Sequence, residues 1–342
     1  MPRPTVHDIA KAAGVSLATV DRVINERPGV RPATIVKVHD AIRELGYIRD
    51  VAAANLARQR NYRLTFILPE PTNAFLGMVH DAIGAAGSAA AIDRTLIEIR
   101  SVPARDPHAI ARTLADIAPD EVDGVAIMAD ETPQVRDALS RLRRGGVAAV
   151  AFISDLPSSD RQHFIGIDNV AAGRTAGLLM GRFLGERPGS ILVVAGSMMA
   201  RDHIERRLGF DQVMAESFPH LQTLPSLEGW DDAKTVRELV PRALANQSNV
   251  VGIYSIGGGD MGLIDALADH GSAGEFVVIA HELTPHAHQA LVAGTLDAVI
   301  AQDVGHVTRS VIRVLRALTD GQDIVPAQER IRIEVIVKEN ID

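Results

Sequence analysis

Ten short apolar runs follow one another between Leu64 and Gln302, most of them separated by a stretch of amphipathic helical pattern. They fall at residues 64–69, 94–99, 124–129, 147–153, 163–167, 190–195, 223–227, 250–256, 276–280 and 297–302, and a last one lies near 331–338. Strands joined by a helix pair in parallel, because the helix carries the chain back across the sheet, so the alternation predicts βαβ units and parallel sheets. Ten or so strands are too many for one ordinary doubly wound sheet. The segment ERPGS, at 186–190, forms a joint after about five of them. The pattern therefore predicts an α/β body of two similar doubly wound lobes, the second beginning near residue 188.

The first 60 residues read differently, with helical patterns and no strand signal. VHDIAKAA, at 6–13, places Val6, Ile9, Ala10 and Ala13 on one face, and Gly14 breaks the run. Ser16 can cap a second helix through about Asn25. A third spans about Arg31 to Leu45, with Ile35, Val38, Ile42 and Leu45 on one stripe and Gly46 as its stop. DVAAANLARQR can add a fourth short helix, and RQRNYR, at 58–63, reads as a polar linker. The expected division is an all-α headpiece at 1–60 and a two-lobed core at 61–342. Charge follows the same boundary: residues 1–60 hold 10 Lys and Arg against 6 Asp and Glu, a balance of +4, and the remainder holds 25 against 37, a balance of −12. A basic head on an acidic body points to a polyanion as the partner of the head.

Several classes are excluded or disfavoured. With no cysteine among 342 residues there is no disulfide, thiolate metal ligand or cysteine nucleophile. No run approaches the roughly 18 consecutive apolar residues of a membrane span, and MPRPTVHDIAKAAGVS has no export-type apolar segment, so the expectation is a cytoplasmic protein without a membrane partner.

Helix, glycine turn and helix form the minimal helix-turn-helix, whose second helix must present its outer positions to the major groove. Leu17, Ala18, Asp21, Arg22 and Asn25 fall there, while Val15, Val20 and Val23 anchor the inner side. An ordinary three-helix bundle is the plain alternative. TVHDIAKAAGVSLATVDRVIN followed by VRPATIVKVHDAIRELGY closely resembles the headpiece of lactose-repressor (LacI) type transcription regulators. The acidic remainder resembles the effector-binding core of that family and, with it, periplasmic sugar-binding proteins of type I. The resemblance implies that Leu17 and Ala18 set base preference and that Arg22 contacts a guanine edge. It implies further that Thr5, Ser16, Thr19, Asn25 and Thr34 hold phosphates, and that Leu56 is the hinge-helix wedge entering the minor groove. Three departures stand out: Asp21 replaces a usual Ser, Arg49 and Asp50 replace Pro-Asn, and Ala54 replaces a basic or polar residue.

Two α/β lobes enclose a cleft at the carboxyl ends of their strands, where a polyol would need converging carboxylates, amides and a guanidinium. The resemblance places Asn73, Phe75 and Leu76 of PEPTNAFLG in that cleft, although Phe75 also fits as the first apolar residue of a helix. Ser154 and Asp155 end the strand VAAVAFIS. Arg206 of ERRLGF matches the family's effector arginine, with Arg207 as a neighbouring surface charge, and Trp230, the sole tryptophan, matches its aromatic cleft position. Asp260 and Glu282 would accept hydroxyls or brace loops, and Gln302 resembles the cross-lobe amide of sugar binders.

One motif pulls elsewhere. Gly257-x-Gly259-x-x-Gly262 follows an apolar run, with Glu282 about 20 residues on, as a dinucleotide fingerprint asks. Its place in the middle of the second lobe argues against that reading, because a dinucleotide fold normally opens with its fingerprint. HELTPH spaces His281 and His286 five apart around Pro285, unlike a zinc helix, with His286 and His288 on a solvated turn. Phosphate-loop and nucleophile-elbow motifs are lacking. The resemblance thus implies a homodimeric repressor, not an enzyme, with no cofactor or metal. It would bind a pseudo-palindromic double-stranded operator and a small sugar, polyol or derivative. VIVKENID carries no apolar heptad, so no tetramerising tail is expected. A plain carbohydrate-binding receptor and an NAD-dependent oxidoreductase are the alternatives.

Overall fold

The computed structural model describes residues 4–24, 27–47, 60–103, 106, 108–247, 249–271 and 274–341. The chain divides into two compact units, Met1–Arg60 and Asn61–Asp342.

The first unit contains helices α1 (Val6–Ala13), α2 (Leu17–Ile24) and α3 (Pro32–Leu45). At the start of α1 the Asp8 carboxylate accepts from both the backbone N and the hydroxyl of Thr5, each at 2.8 Å, satisfying a donor the helix itself cannot. Gly14 ends α1 at φ +64°, in the left-handed region that glycine adopts without a Cβ clash. Ser16 Oγ accepts from Thr19 N at 3.2 Å, the capping bond expected of α2. Ile9, Ala10, Val20, Val23, Val38 and Ala41 form the core. Val6 and Ile35, placed on the apolar stripes by sequence, are exposed at the ends of their helices.

The second unit carries two sheets. The first joins β1 (Tyr62–Pro69), β2 (Thr95–Val102), β3 (Gly124–Ile127), β4 (Ala148–Phe152) and β5 (His163–Ile165), ordered β2-β1-β3-β4-β5 and parallel throughout. The second joins β6 (Gly189–Ala195), β7 (Leu221–Glu228), β8 (Val250–Ser255), β9 (Val277–His281), β10 (Ala298–Ala301) and β11 (Glu334–Ile336), ordered β11-β10-β9-β8-β6-β7, with only β11 antiparallel. Helices cover both faces of a parallel sheet, so its central strands bury every side chain, as β4 and β8 do.

These helices are α4 (Ala74–Ala90), α5 (Ala109–Asp116), α6 (Pro133–Arg144), α7 (Asn169–Leu184), α8 (Arg201–Ser217), α9 (Ala233–Asn246), α10 (Asp260–Asp269), α11 (Pro285–Ala293) and α12 (Val304–Thr319). By length and composition alone Ala74–Asp93 could cross a membrane. Here it connects two neighbouring strands of one sheet and buries Leu76, Val79 and Ile83.

The boundary between lobes differs from the sequence expectation. The second sheet begins at Gly189, yet the preceding helix α7 already packs on α8 and against β8, β9 and β10, so the second lobe starts at Asn169 rather than near 188. α12 then returns to the first lobe against α4, β3 and β4, and β11 rejoins the second. Helical periodicity tells which face of a helix is buried but not which sheet buries it. Glycines set the α7–α8 contact: a Cβ on Gly173 would lie 1.9 Å from Arg206 O, and one on Gly209 would lie 2.0 Å from Val170 O. Only bare backbone fits there, which fixes the position from which Arg206 leaves α8.

Candidate functional site

In the first unit α2 turns Val20 and Val23 inward and Leu17, Ala18, Asp21 and Arg22 outward, with Leu17 42% exposed. Thr5 and Ser16 are exposed, and Thr19 and Thr34 are half-buried. The hydroxyls of Ser16 and Thr19 lie 2.9 Å apart at the head of α2, where the free N–H groups of a helix start favour an anion. Asp21 forms an exposed ion pair with Arg27 at 3.2 Å, which sets a cation beside the carboxylate. Asn25 and Leu56 lie outside the described residues, as do Arg49, Asp50 and Ala54.

In the second unit strand order reverses between β1 and β3 in one sheet and between β6 and β8 in the other. Such switch points leave a crevice at the carboxyl ends of the strands. Arg206, 2% exposed, is central to the second lobe's side of it. Its Nε donates to Asn169 Oδ1 at 2.9 Å, Nη1 to Ile256 O at 2.8 Å, and Nη2 to Glu282 Oε1 at 3.1 Å. Gln302 Nε2 donates to the same Glu282 oxygen at 2.9 Å. Asn169 and Gln302 stand at two of the places where the chain passes between lobes, so one buried ion pair ties α8 and β9 to both crossings.

More acids surround this pair. Asp202 and His203 lie one turn before Arg206, Asp231 follows β7, Asp260 opens α10, and Asp130 follows β3 in the first lobe. Burial pushes Asp130 upward from the ordinary carboxylate range, and the charge of Asp202 adds to the shift. Burial likewise raises Asp231 and Glu282. Asp260 is pushed up to about 7 by burial and by the charges of Asp231 and Glu282, against the opposing bond from Ser255. Asp202 moves the other way because His203 and Arg206 offset its burial. Beneath them Tyr254 and His281 share a 2.8 Å bond, and burial keeps both neutral. Four non-glycine residues at these strand ends have positive φ: Ile153 (+64°), Trp230 (+55°), Asp231 (+54°) and Glu282 (+66°). Backbone strain of about 1–3 kcal/mol each gathers at ligand sites.

The glycines of the fingerprint have their explanation in this packing. A Cβ on Gly257 would meet His203 Nε2 at 2.6 Å, one on Gly259 would meet Val236 Cγ2 at 2.7 Å, and one on Gly262 would meet Ala233 O at 1.9 Å. Close packing within this lobe therefore accounts for these glycines.

Residues 64–323 match the family model of the periplasmic binding protein domain, and residues 5–50 match that of bacterial regulatory proteins, lacI family. The chain belongs to the periplasmic binding protein domain family and carries a lacI-family DNA-binding domain at its head. The HTH-type transcriptional regulator CelR of Thermobifida fusca is 28% identical over 250 residues, 70% of this chain and 71% of that one. Catabolite control protein A of Priestia megaterium is 41% identical over 71 residues, and this match spans only 21% of either chain. An ABC transporter solute-binding protein of Burkholderia graminis, solved in complex with D-arabinose, has the same fold, with a TM-score of 0.74 at 21% identity over 82% of this chain and 96% of the other.

Within this periplasmic-binding-protein core, the structure gathers Arg206, Glu282 and Gln302 into one hydrogen-bond network, while Asp260 bonds Ser255 and meets them through charge alone. Asn73 caps α4 by accepting from Leu76 N at 2.9 Å, and Phe75 packs partly buried against the core. Leu76, in the first turn of α4, is buried. Asp155 has both oxygens bonded by Arg161 and one of them also by Leu156 N. Trp230 stands 55% exposed at the cleft end of β7. Arg207 is no surface charge, since it bonds Asp211 and Ser226 at 2.7 Å each. His286 and His288 lie in the first turn of α11 rather than on a loop. Sequence reasoning missed Asp130, Asn169, Asp202, His203 and Asp231. Asp130 and Asp231 could have been found as acids closing the runs GVAIMAD and LEGWD, and Asp202 as one helical turn before Arg206.

Proposed function

We infer that this chain is a sequence-specific DNA-binding repressor of carbohydrate or polyol utilisation genes, acting in the cytoplasm without catalysis, with a sugar-like effector in the cleft between its lobes. The observation that carries this reading is the outer face of α2, which offers Leu17, Ala18 and Arg22 to a groove while Val20 and Val23 fix its orientation. Leu17 and Ala18 read thymine methyls, and Arg22 reads a guanine edge. Thr5, Ser16, Thr19, Asn25 and Thr34 hold phosphates, and Leu56 wedges the minor groove.

A homodimer on a pseudo-palindromic operator is supported by the edge of the first sheet. α4 buries only Leu76, Val79 and Ile83, and its remaining surface is rich in glycine and alanine. Beside it the edge strand β2 exposes Leu96, and Ile92 stands outward in the turn between them. The outward, small-residue side of this helix next to an unpaired strand edge is a surface that a second copy can cover.

Effector occupancy reaches the headpiece linker through α12. This helix begins beside Gln302 and ends at Asp320, whose carboxylate accepts from Tyr62 OH at 2.6 Å, at the first strand of the core. Its 16 residues span about 24 Å. A ligand that shifts Gln302 thus displaces the point where the chain enters the core, and DNA and effector affinities are linked reciprocally. Selection of random duplexes on the full-length protein tests the reading: a two-fold symmetric site, bound less tightly as salt rises, is expected. Enrichment of no sequence would overturn it.

A further inference from the structure

The cleft gathers more carboxyl groups than cationic partners. Asp202, Asp231, Asp260 and Glu282 approach it from the second lobe and Asp130 from the first, while Arg206 and His203 are the cationic or ionisable partners beside them. Arg206 is already engaged through all three of its nitrogens. Asp130, Asp202 and Asp231 lie near enough for their charges to oppose one another's ionisation. Among the described residues no three His, Asp or Glu side chains are placed to hold a metal ion.

A second observation points to the ligand itself. Asp231 Oδ1 is buried with no hydrogen-bond partner, although the carboxylate packs directly over Gly196 and Gly258. Asn169 Nδ2 and Gln302 Oε1 are equally orphaned, on residues only 2% and 5% exposed. Their orientations are set, because the other end of each amide is bonded to the Arg206–Glu282 pair. A buried donor and a buried acceptor left open beside one ion pair match hydroxyl groups, which both accept and donate. An orphaned carboxyl oxygen among acids that lack cationic partners matches an ammonium, which has three donors and a charge that favours their ionisation.

We propose that the effector is a cationic polyol, an amino sugar or amino alcohol, whose ammonium is held by Asp231 and by Asp130 closing from the opposite lobe, and whose hydroxyls meet Asn169 and Gln302. This rests on the cleft being the effector site, as inferred above. A neutral sugar fills the same hydrogen bonds but leaves the carboxylates repelling one another.

The test is calorimetry on the full-length protein with matched probes: D-glucosamine, D-galactosamine and D-mannosamine, each against its parent hexose and its N-acetyl derivative, and 1-amino-1-deoxysorbitol against sorbitol. At least one amine should bind about tenfold or more tightly than both its uncharged counterparts. Asp231→Asn should erase that preference, and Asp130→Asn, a change on the other lobe and away from the Arg206 pair, should reduce it. Melting curves of both variants establish that they are folded. A parent hexose binding as tightly as its amine in every pair overturns the proposal and leaves the sugar-effector reading standing. Binding of no member of any pair overturns both. An amine preference that survives both substitutions overturns the assignment to these two carboxylates.

Discussion

The headpiece and the core place their charges in opposite ways. Among the described residues of the headpiece, every buried side chain is apolar and the charged ones lie outside, Arg22 included. The core buries Asp202, His203, Arg206, Asp260, His281 and Glu282. A DNA phosphate or base edge is met at the surface, by side chains that keep their water until contact. A small hydroxylated ligand is distinguished from water only by groups already desolvated and aimed, which gives the core its orphaned polar atoms and its strained strand ends. Substitution of a functional residue should therefore alter binding alone in the headpiece, and binding together with folding in the core.

Arg206→Ala is the strongest way to break this contrast. Removing the guanidinium leaves Glu282 buried without its cation and strips Asn169 Oδ1 and Ile256 O of their donor. Loss of one partner from a buried pair costs about 3–5 kcal/mol. Denaturant melts of the second unit's transition should show a loss of that size, together with loss of ligand response. A loss below about 1 kcal/mol would mean that the network is not what holds the cleft side of α8.

Arg22→Ala tests the other half. Operator affinity should fall by about 1–3 kcal/mol, with preference flattened at one base position. The melting temperature should stay where it is, because Arg22 is exposed. A melting temperature that drops along with affinity would place Arg22 in the fold of the headpiece.

The same contrast governs what the sequence discloses. All eleven strands stand within a few residues of the apolar runs, and for the central strands of each parallel sheet this is because burial on both faces writes itself as local composition. The reading face of α2 is also local, eight residues of one helical period. The cleft is not. Asn169, Arg206, Ile256 and Glu282 meet from four elements, and their meeting depends on strand order and on glycines that let α7 touch α8. Resemblance named Arg206, Glu282 and Gln302, which bond to one another, and Asp260 beside them, and it also named Leu76, which is buried, and Asp155, which pairs with Arg161. Asp130 and Asp231 carry no motif of their own, and only their placement around Arg206 singles them out.

Asp260 offers a subtler difference, visible in pH rather than in binding. Its folded pKa is about 7, against 3.8 for the ordinary side chain, so the folded state holds a proton that the unfolded state has released between those values. The stabilisation is fully present below about pH 4 and is lost as pH rises towards 7, with a limiting slope of about 1.4 kcal/mol per pH unit. Asp130, Asp231 and Glu282 shift in the same direction and His281 in the opposite sense, so the observable is a difference between proteins. The stability of the parent relative to Asp260→Asn should decline from pH 4 to 7 and then level off. A difference that is flat or rising over that range would show that Asp260 is ionised throughout.

The smallest effect on stability is expected at Trp230, where the two roles of the core separate. Its φ of +55° costs any residue with a Cβ, and with 55% of its surface exposed it contributes little to packing. Trp230→Gly relieves that strain and adds the entropy penalty of glycine, two terms of about 1 kcal/mol with opposite sign. The melting temperature should therefore shift little in either direction. The resemblance sets the indole against the effector, so closure on a ligand should cover it and alter the emission of the only tryptophan in the chain. Trp230→Phe should keep ligand affinity within a few fold, since a flat apolar face remains, while Trp230→Gly should weaken it more. If Trp230→Gly instead unfolds the core, then its half-exposed ring is holding β7 in place, and burial, not ligand contact, accounts for the residue.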